Sequence, residues 1–292
     1  MNAQKVAILI EALPYIKEFA GKTFVIKFGG SIMSNEKSKN AFIEDIVLLN
    51  LVGINLAIVH GGGPYISKTL EQMNIESEFI DGLRVTSKEA IEVVEMVLSG
   101  AVNKDLSSSL CREGITGVGL SGKDANLIKA KKKYLNKNGE KVDLGYVGDV
   151  VSVNTQFLSD IIEKHHVPVI SPIGADSEGN TYNINADYVA AAISSELKAE
   201  KLILLTDVEG IYRDINDPSS LISVIKTGEI DSYIEDEVLV GGMLPKIDCC
   251  VRALEGGTKS VHLIDGRKQH SLLLEIFTHK GIGTMIKKGD KL

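Results

Sequence analysis

The amino-acid sequence predicts an α/β protein with an open, mainly parallel β-sheet covered by helices. Strand-like apolar stretches, for example residues 23–31, 55–64 and 167–174, alternate with amphipathic helical segments along the chain. This alternation is typical of βαβ units, which place successive strands in parallel. The composition agrees, because 44% of the 292 residues are hydrophobic while aromatic residues make up only 5% and Trp is absent. Aliphatic side chains in that proportion favour buried parallel strands.

The elements can be assigned in order from the amino terminus. An amphipathic helix over about residues 3–20 is expected to kink at Pro14. Further helices are predicted over residues 36–51, 64–73, 87–114, 185–199 and 244–257, and further strands within residues 201–212 and 260–265. Short alternating segments between residues 118 and 152 predict β-hairpins. A boundary near residue 195 is expected to separate two lobes of one sheet rather than two independent domains.

Charge and cysteine content exclude several classes of protein. A net charge of −7 argues against a nucleic-acid-binding surface, and the lysine run at residues 131–133 is interpreted as a solvated hairpin. Three cysteines, with Cys249 next to Cys250, do not make a disulfide framework and favour a reducing compartment. No apolar segment is long enough to cross a bilayer and no signal peptide is recognised, so we expect a cytoplasmic protein with no membrane partner.

The stretch GVGLSGKD, Gly117 to Asp124, matches two nucleotide-binding patterns by sequence alone. It fits the dinucleotide fingerprint G-x-G-x-x-G and comes within one residue of a Walker A loop, where Asp124 replaces the Ser or Thr that would hold Mg²⁺. Both patterns require a strand before and a helix after the glycines, but the following residues predict a hairpin. We therefore predict that these glycines allow a tight strand crossing, with phosphate binding as the alternative.

Two other glycine loops satisfy the structural context better. KFGGS, Lys27 to Ser31, follows the first predicted strand, and HGGGP, His60 to Pro64, follows the second and opens a helix. Successive glycines let backbone N–H groups approach an anion without a Cβ in the way. Ligands of open α/β sheets bind at the carboxyl ends of the strands. The two loops therefore predict one shared site for a phosphoryl group or another oxyanion.

Seven motifs occur in order along the chain: VIKFGGS, IVHGGGP, FIDGLRVT, VGLSGKD, NINADYVA, LLTDVEGIY and GGMLPK. Together they resemble the amino acid kinase family over about residues 5–287, and within it the enzymes that phosphorylate N-acetylglutamate. The resemblance implies a three-layer αβα sandwich plus β-hairpins. It also divides a single domain of residues 1–292 into a substrate and dimerisation lobe, about 22–194, and a nucleotide-binding lobe, about 195–292.

The activity implied is ATP-dependent phosphorylation of the side-chain carboxylate of N-acetyl-L-glutamate to N-acetyl-L-glutamyl 5-phosphate, a step of arginine biosynthesis. The nucleophile is a carboxylate with an ordinary pKa of about 4.3, so it is already ionised at pH 7 and needs no general base. Two anions must be brought together, and the catalyst should therefore consist of positive charge and N–H dipoles. The absence of an obvious catalytic His or Cys agrees with this chemistry.

The resemblance also implies a role for individual residues. Lys27 and Lys246 would stabilise the transferring phosphoryl group and the leaving side, and Asp187 would orient both lysines. The residues implied to bind substrate are Gly62, Gly63, Arg84 and Asn183, and those implied to bind nucleotide are Gly29, Gly30, Thr206, Asp207 and Gly210. Mg²⁺ is expected to be coordinated mainly by the ATP phosphates and water, without a dedicated metal site in the protein.

Both ends of the chain resemble the arginine-inhibited, hexameric branch of the family. The N-terminal helix would interlock dimers, and the residues matching the feedback site for L-arginine are His270, Glu275, Gly281 and Gly283. A homo-oligomer, dimer or hexamer, is expected, and a PII-type signalling partner and a plastid location stay open. The alternatives are a kinase for a related N-acyl amino acid such as N-acetyl-aminoadipate, a nicotinamide dehydrogenase that uses GVGLSGKD, and a non-catalytic amino-acid sensor.

Overall fold

The computed structural model describes residues 2–137 and 139–289, without the side chains of residues 2–9 and 31. Its strands are β1 (Thr23–Phe28), β2 (Asn55–His60), β3 (Phe79–Ile80), β4 (Leu83–Arg84), β5 (Gly117–Ser121), β6 (Ile128–Lys137), β7 (Glu140–Val153), β8 (Val167–Ser171), β9 (Ile173–Ala175), β10 (Thr181–Asn183), β11 (Lys201–Thr206), β12 (Val224–Lys226), β13 (Ser260–Asp265) and β14 (Thr284–Lys287).

An eight-stranded open sheet forms the middle layer, in the order β12-β14-β13-β11-β1-β2-β8-β5. All neighbouring strands run parallel except β13 and β14, which are antiparallel. In the register of β1 and β2, Phe28 lies opposite His60. The two glycine loops therefore leave the sheet side by side at its carboxyl edge, as the sequence predicted.

Helices cover both faces of the sheet and complete the predicted three-layer αβα sandwich. They are α1 (Asn2–Phe19), α2 (Glu36–Leu51), α3 (Gly63–Gln72), α4 (Lys88–Glu95), α5 (Asn103–Arg112), α6 (Thr155–Ile162), α7 (Ala186–Glu196), α8 (Ile230–Glu235), α9 (Met243–Glu255) and α10 (Ser271–Ile276). Strand β1 shows the two faces directly, because Phe24 and Ile26 lie in one hydrophobic core while Val25 between them lies in the other. This alternation follows from the period of two of an extended strand.

Two parts of the fold differ from the sequence prediction. The helix expected over residues 87–114 is divided into α4 and α5 by a π-helical segment, Met96–Val102. The hairpin of β6 and β7 was predicted, but its closure with β9 and β10 into a four-stranded barrel was not. Closure depends on long-range packing, since a Cβ on Gly148 would lie 2.6 Å from the Cβ of Tyr182 in β10.

The GVGLSGKD stretch forms β5 at one edge of the sheet and continues through a short 3₁₀ turn into β6, so no helix follows it. A Cβ on Gly122 would lie 1.8 Å from the carbonyl oxygen of Ile173, and one on Gly119 would lie 2.3 Å from Oδ1 of Asn103. Real Cβ contacts do not come this close, so Gly122 is required by the backbone of β9, and a Cβ at Gly119 would displace the Asn103 side chain. The prediction of a tight strand crossing is confirmed at Gly122, which packs against β9 and β6, whereas Gly117 and Gly119 pack against helix α5.

The N-terminal helix is present with Pro14 inside it. None of the described helices is both long and apolar enough to cross a membrane. Cys249 and Cys250 are buried in α9 whereas Cys111 is exposed on α5. The division into functional lobes near residue 195 stays a prediction, because the central sheet takes strands from both sides of that boundary.

Candidate active site

The two glycine loops pack against each other at the carboxyl ends of β1 and β2. The N–H of Gly61 donates a hydrogen bond of 2.7 Å to the carbonyl oxygen of Phe28. A Cβ on Gly29 would lie 3.2 Å from that same nitrogen and 3.1 Å from Cε of Lys27. Any larger residue at position 29 would therefore crowd the lysine side chain that the loop brings to the site. Gly30 has a φ of +69°, a conformation that favours glycine.

Asp187 lies between two lysines that come from distant parts of the chain. Its carboxylate is 3.0 Å from Nζ of Lys27 at the end of β1 and 3.4 Å from Nζ of Lys246 in the first turn of α9. Asn185 caps α7 by accepting a hydrogen bond of 2.8 Å from the N–H of Asp187. The packing of α7 on α9 then brings the carboxylate to Lys246. The structure thus joins the three residues predicted to be catalytic.

Burial and charge act in opposite directions on this carboxylate. Burial would raise the pKa of Asp187, but the adjacent ammonium groups of Lys27 and Lys246 outweigh it and hold the pKa below its usual range. The cluster therefore contains one negative and two positive charges. Oδ1 of Asp187 is buried and has no hydrogen bond of good geometry within the described residues, although the Lys27 ammonium is nearby. The excess positive charge suits an anionic ligand between the two lysines.

Arg84, at the end of β4, is the second cationic feature of the site. Its guanidinium donates to the carbonyl oxygen of Gly63 at 3.2 Å, to Oγ of Ser67 at 2.7 Å and to Oγ of Ser77, and it lies 4.6 Å from the ring centroid of Phe79. No carboxylate pairs with it in the described part of the chain. Because Arg84 is only 8% exposed, burial lowers its pKa. A buried guanidinium with neutral partners is prepared for an anion supplied by a ligand.

A cavity of about 510 Å³ connects these features. It is lined by Lys27, Gly30, Gly61, Gly62, Gly63, Arg84, Asn183, Asp187 and Lys246, among others. A Cβ on Gly62 would lie 2.4 Å from Cδ2 of Leu98, so a larger residue there would require the Leu98 side chain to move. A Cβ on Gly63 would meet no atom within 4 Å, so a larger residue there would only reduce the volume of the cavity. All four residues predicted to bind substrate therefore lie around one cavity, at the same edge of the sheet as the lysines.

A second cavity, of about 680 Å³, lies on the other side of Lys246. Asp207 and Gly210 line it as predicted, and Lys246 lines both cavities. Thr206 is not among its lining residues, since its hydroxyl donates to the carbonyl oxygen of Val208 at 2.8 Å and shapes the turn after β11. Sequence reasoning missed the other lining residues, which include Tyr212, Arg213, Asp214, Val238, Val240 and Met243. Tyr212 and Met243 lie inside the motifs LLTDVEGIY and GGMLPK but were given no role, and the other four have no distinctive local pattern.

Three of the four residues predicted to form a feedback site lie together near the C-terminal end. The Glu275 carboxylate accepts hydrogen bonds from Nδ1 of His262 at 2.6 Å and from the N–H groups of Ile282 and Gly283 at 2.7 and 3.2 Å. Gly281, with a φ of +59°, forms the same turn. Burial would raise the pKa of Glu275, but the hydrogen bonds from His262 and the turn lower it, so the carboxylate is ionised.

His270 points away from this group. It precedes α10 and its Nδ1 lies 2.7 Å from Oδ1 of Asp45 in α2. Burial raises the pKa of Asp45 to about 6 in spite of this contact. The structure therefore does not show His270 in contact with Glu275, and the two belong to different hydrogen-bonding groups.

Two lysines around one carboxylate, glycine loops at the carboxyl edge of a parallel sheet and a second cavity beyond them are the features expected of a phosphoryl-transfer site. The sequence profile described as the amino acid kinase family matches residues 22–265, and the chain belongs to that family. The chain is 53% identical over 281 residues to the acetylglutamate kinase of Clostridium acetobutylicum, covering 96% of this chain and 95% of that one. It is 52% identical to the acetylglutamate kinase of Heliobacterium modesticaldum, covering 98% of both chains.

Solved structures show the same fold. The N-acetylglutamate synthase of Neisseria gonorrhoeae, complexed with coenzyme A and N-acetyl-glutamate, matches with a TM-score of 0.83 and 29% identity. The match covers 98% of this chain but only 64% of that longer protein. Carbamate kinase from Giardia lamblia bound to AMP-PNP matches with a TM-score of 0.65 at 16% identity, which shows the fold alone. The fold class predicted from the sequence is confirmed.

Proposed function

We propose that this protein uses ATP to phosphorylate the side-chain carboxylate of N-acetyl-L-glutamate, giving N-acetyl-L-glutamyl 5-phosphate for arginine biosynthesis. Relatives about 52% identical over nearly the whole chain carry the name acetylglutamate kinase. The structural observation that supports it best is the buried, unpaired Arg84 in the same cavity as Lys27 and Lys246. A substrate with two carboxylates can pair one with Arg84 while the other approaches the lysines.

The chemistry follows from the charges around the cavity. The attacking carboxylate is ionised at pH 7, so no group has to remove a proton. Negative charge on the transferring phosphoryl group is stabilised by the ammonium groups of Lys27 and Lys246, which Asp187 holds in place. Mg²⁺ bound to the ATP phosphates would neutralise further charge. Asn183 lines the same cavity and donates to Thr86 at 3.3 Å, which supports the proposal that it contacts the rest of the substrate.

ADP release measured with a panel of acceptors tests the proposal. The panel contains N-acetyl-L-glutamate, N-acetyl-aminoadipate, N-acetyl-L-aspartate and free glutamate, with Lys27→Ala as the inactive control. We expect N-acetyl-L-glutamate to give the highest kcat/KM. The absence of ADP release with it would contradict the proposal, and a higher kcat/KM with N-acetyl-aminoadipate would assign the protein to the longer homologue, since one methylene is worth about 1–3 kcal/mol.

We also propose that L-arginine inhibits the enzyme at the Glu275 turn. The support is an ionised, buried carboxylate beside a glycine turn. Its Oε2 accepts from both turn N–H groups, whereas Oε1 accepts only from His262 and keeps a second lone pair for a guanidinium. His270 lies outside this group, and its part in arginine binding stays a prediction. A hexamer interlocked by α1 belongs to the same proposal. Deleting residues 1–20 should then lower the mass found by light scattering and weaken inhibition, and unchanged mass and inhibition would contradict it.

The cellular context is proposed from the same observations. The relatives compared are bacterial, which favours a bacterial cytoplasm and gives the plastid alternative no support. Binding of a PII-type protein stays a prediction. Isothermal titration with such a protein, in the presence and absence of ATP, would test it.

A further inference from the structure

A buried histidine lies directly beneath the second glycine loop. His60, the last residue of β2, has no exposed surface. Its Nδ1 is 2.7 Å from the carbonyl oxygen of Gly61, and its Nε2 is 3.1 Å from the side-chain nitrogen of Asn103 in α5. The proposed chemistry uses neither His60 nor Asn103, yet the two connect the sheet interior to the loop at the phosphoryl-transfer site.

The partners of His60 determine which ring nitrogen carries the proton. A backbone carbonyl only accepts, so Nδ1 must donate to Gly61. Burial lowers the pKa of His60 to about 4, and the ring is therefore neutral near pH 7 with Nε2 as an acceptor. Asn103 fits this arrangement, because its amide group has two N–H donors and they are shared among three acceptors: Nε2 of His60 and the carbonyl oxygens of Val169 at 2.8 Å and Leu120 at 3.2 Å.

This hydrogen bond fixes the direction of a backbone amide. The Gly61–Gly62 peptide bond is trans, so its C=O and its N–H point in opposite directions. With the Gly61 carbonyl held toward the buried ring, the Gly62 N–H points away from it, toward the cavity that both glycines line. None of the described residues provides a backbone acceptor for that N–H.

A run of three glycines does not hold such an orientation by itself. Residues without a Cβ populate many backbone conformations, and a peptide between two glycines can turn over with little steric hindrance. Asn103 is in turn held against Gly119 of the GVGLSGKD stretch, where a Cβ would lie 2.3 Å from Oδ1 of Asn103. Gly119 in β5 thus gives Asn103 the space to reach His60, although this glycine does not line either cavity.

We propose that His60 is a positioning residue that, through its hydrogen bond to the Gly61 carbonyl, directs the Gly62 N–H at the negative oxygens formed during phosphoryl transfer. This inference depends on the proposed function for the identity of those oxygens. The orientation of the Gly61–Gly62 peptide is a feature of the protein without ligand, so that part of the inference is independent of the proposed function. Because His60 touches no substrate, its effect reaches the reaction only through the peptide that it holds.

Two substitutions of His60 separate a positioning role from a packing role. His60→Leu keeps a similar volume and removes the donor, and Asn103 still has its two carbonyl acceptors, so we expect a folded protein. His60→Asn places an amide nitrogen near the position of Nδ1. In ADP-release assays with N-acetyl-L-glutamate, we expect His60→Leu to lower kcat about 10- to 100-fold, below the roughly 100- to 1000-fold loss for removing an oxyanion-hole donor outright.

His60→Asn should recover kcat to within about fivefold of the parent enzyme, and the KM for ATP should change less than about twofold in both variants. A parent-like kcat in His60→Leu, or equal losses in the two variants at equal melting temperature, would overturn the proposal. An inactive parent enzyme would instead refute the proposed function. ¹⁵N NMR of histidine-labelled parent protein decides the positioning role independently. We expect a protonated Nδ1 and an unprotonated Nε2 for His60, and the opposite tautomer would overturn the inference.

Discussion

Replacing Arg84 with Met should abolish tight substrate binding while leaving the stability of the protein almost unchanged. The guanidinium makes hydrogen bonds to Ser67, Ser77 and Gly63, and each contributes on the order of 1 kcal/mol to folding. Against this stands the desolvation of a buried cation without an acidic partner, which costs several kcal/mol. The two contributions nearly cancel, so we expect the melting temperature to shift by no more than about 3 °C or to rise.

Substrate binding responds differently, because the carboxylate then enters the cavity without its counter-ion. Removing one member of a buried charge pair costs about 2–5 kcal/mol, which corresponds to a rise in the KM for N-acetyl-L-glutamate of about 30-fold or more. Arg84→Lys, which keeps the charge but not the planar fork, should give an intermediate KM. ADP release across substrate concentrations and differential scanning fluorimetry measure the two effects. A parent-like KM in Arg84→Met, or a melting temperature lowered by about 10 °C, would refute this reasoning.

Three further predictions follow from the same contacts. Asp187→Asn should lower kcat by about 30-fold or more without raising the KM for ATP, because the lysines lose their anchor while the site gains positive charge; a parent-like kcat in steady-state kinetics would contradict this. Gly122→Ala should destabilise the protein by about 3 kcal/mol or more in urea unfolding, whereas the control Gly228→Ala, where a Cβ meets no atom within 4 Å, should change the free energy by less than about 1 kcal/mol. The pKa of His60 falls from 6.5 in the unfolded chain to about 4 in the folded protein. The unfolded state therefore binds a proton first as the pH falls from 6.5 toward 4, and the free energy of unfolding should decrease by about 3 kcal/mol over that range. Urea unfolding at pH 5 and pH 7 should show a smaller loss for His60→Asn than for the parent, and equal losses would count against the neutral ring.

The parts of the site that the sequence predicted are those set by local pattern. The loops after β1 and β2 were recognisable because glycines follow apolar strands directly, and the parallel register places them together. Asp187 and Lys246 are 59 residues apart in the chain, and no local pattern indicates that α7 packs on α9. Their pairing came from the family resemblance, which the comparisons support.

The parts that were missed depend on long-range contacts between ordinary residues. His60 and Asn103 are 43 residues apart, and a histidine before a glycine loop has no local feature that reveals its partner. The π-helical segment at Met96–Val102 and the barrel of β6, β7, β9 and β10 likewise arise from packing, because the helical periodicity and the strand alternation continue through them. Arg84 was predicted to bind substrate, but only its burial and its neutral hydrogen-bond partners show that no acidic side chain of the described residues pairs with it.

The position of β1 has a consequence for how the chain folds. It is the first strand made and it lies in the middle of the sheet, between β2, which follows closely, and β11, which begins at Lys201. During synthesis one edge of β1 therefore stays unpaired until more than two thirds of the chain has left the ribosome, which exposes unused backbone donors and acceptors. Such non-local pairing predicts slow folding and a dependence on chaperones for the nascent chain. Lys27 meets Asp187 only after α7 has been made, and Lys246 follows in α9, so the three predicted catalytic residues come together late in synthesis.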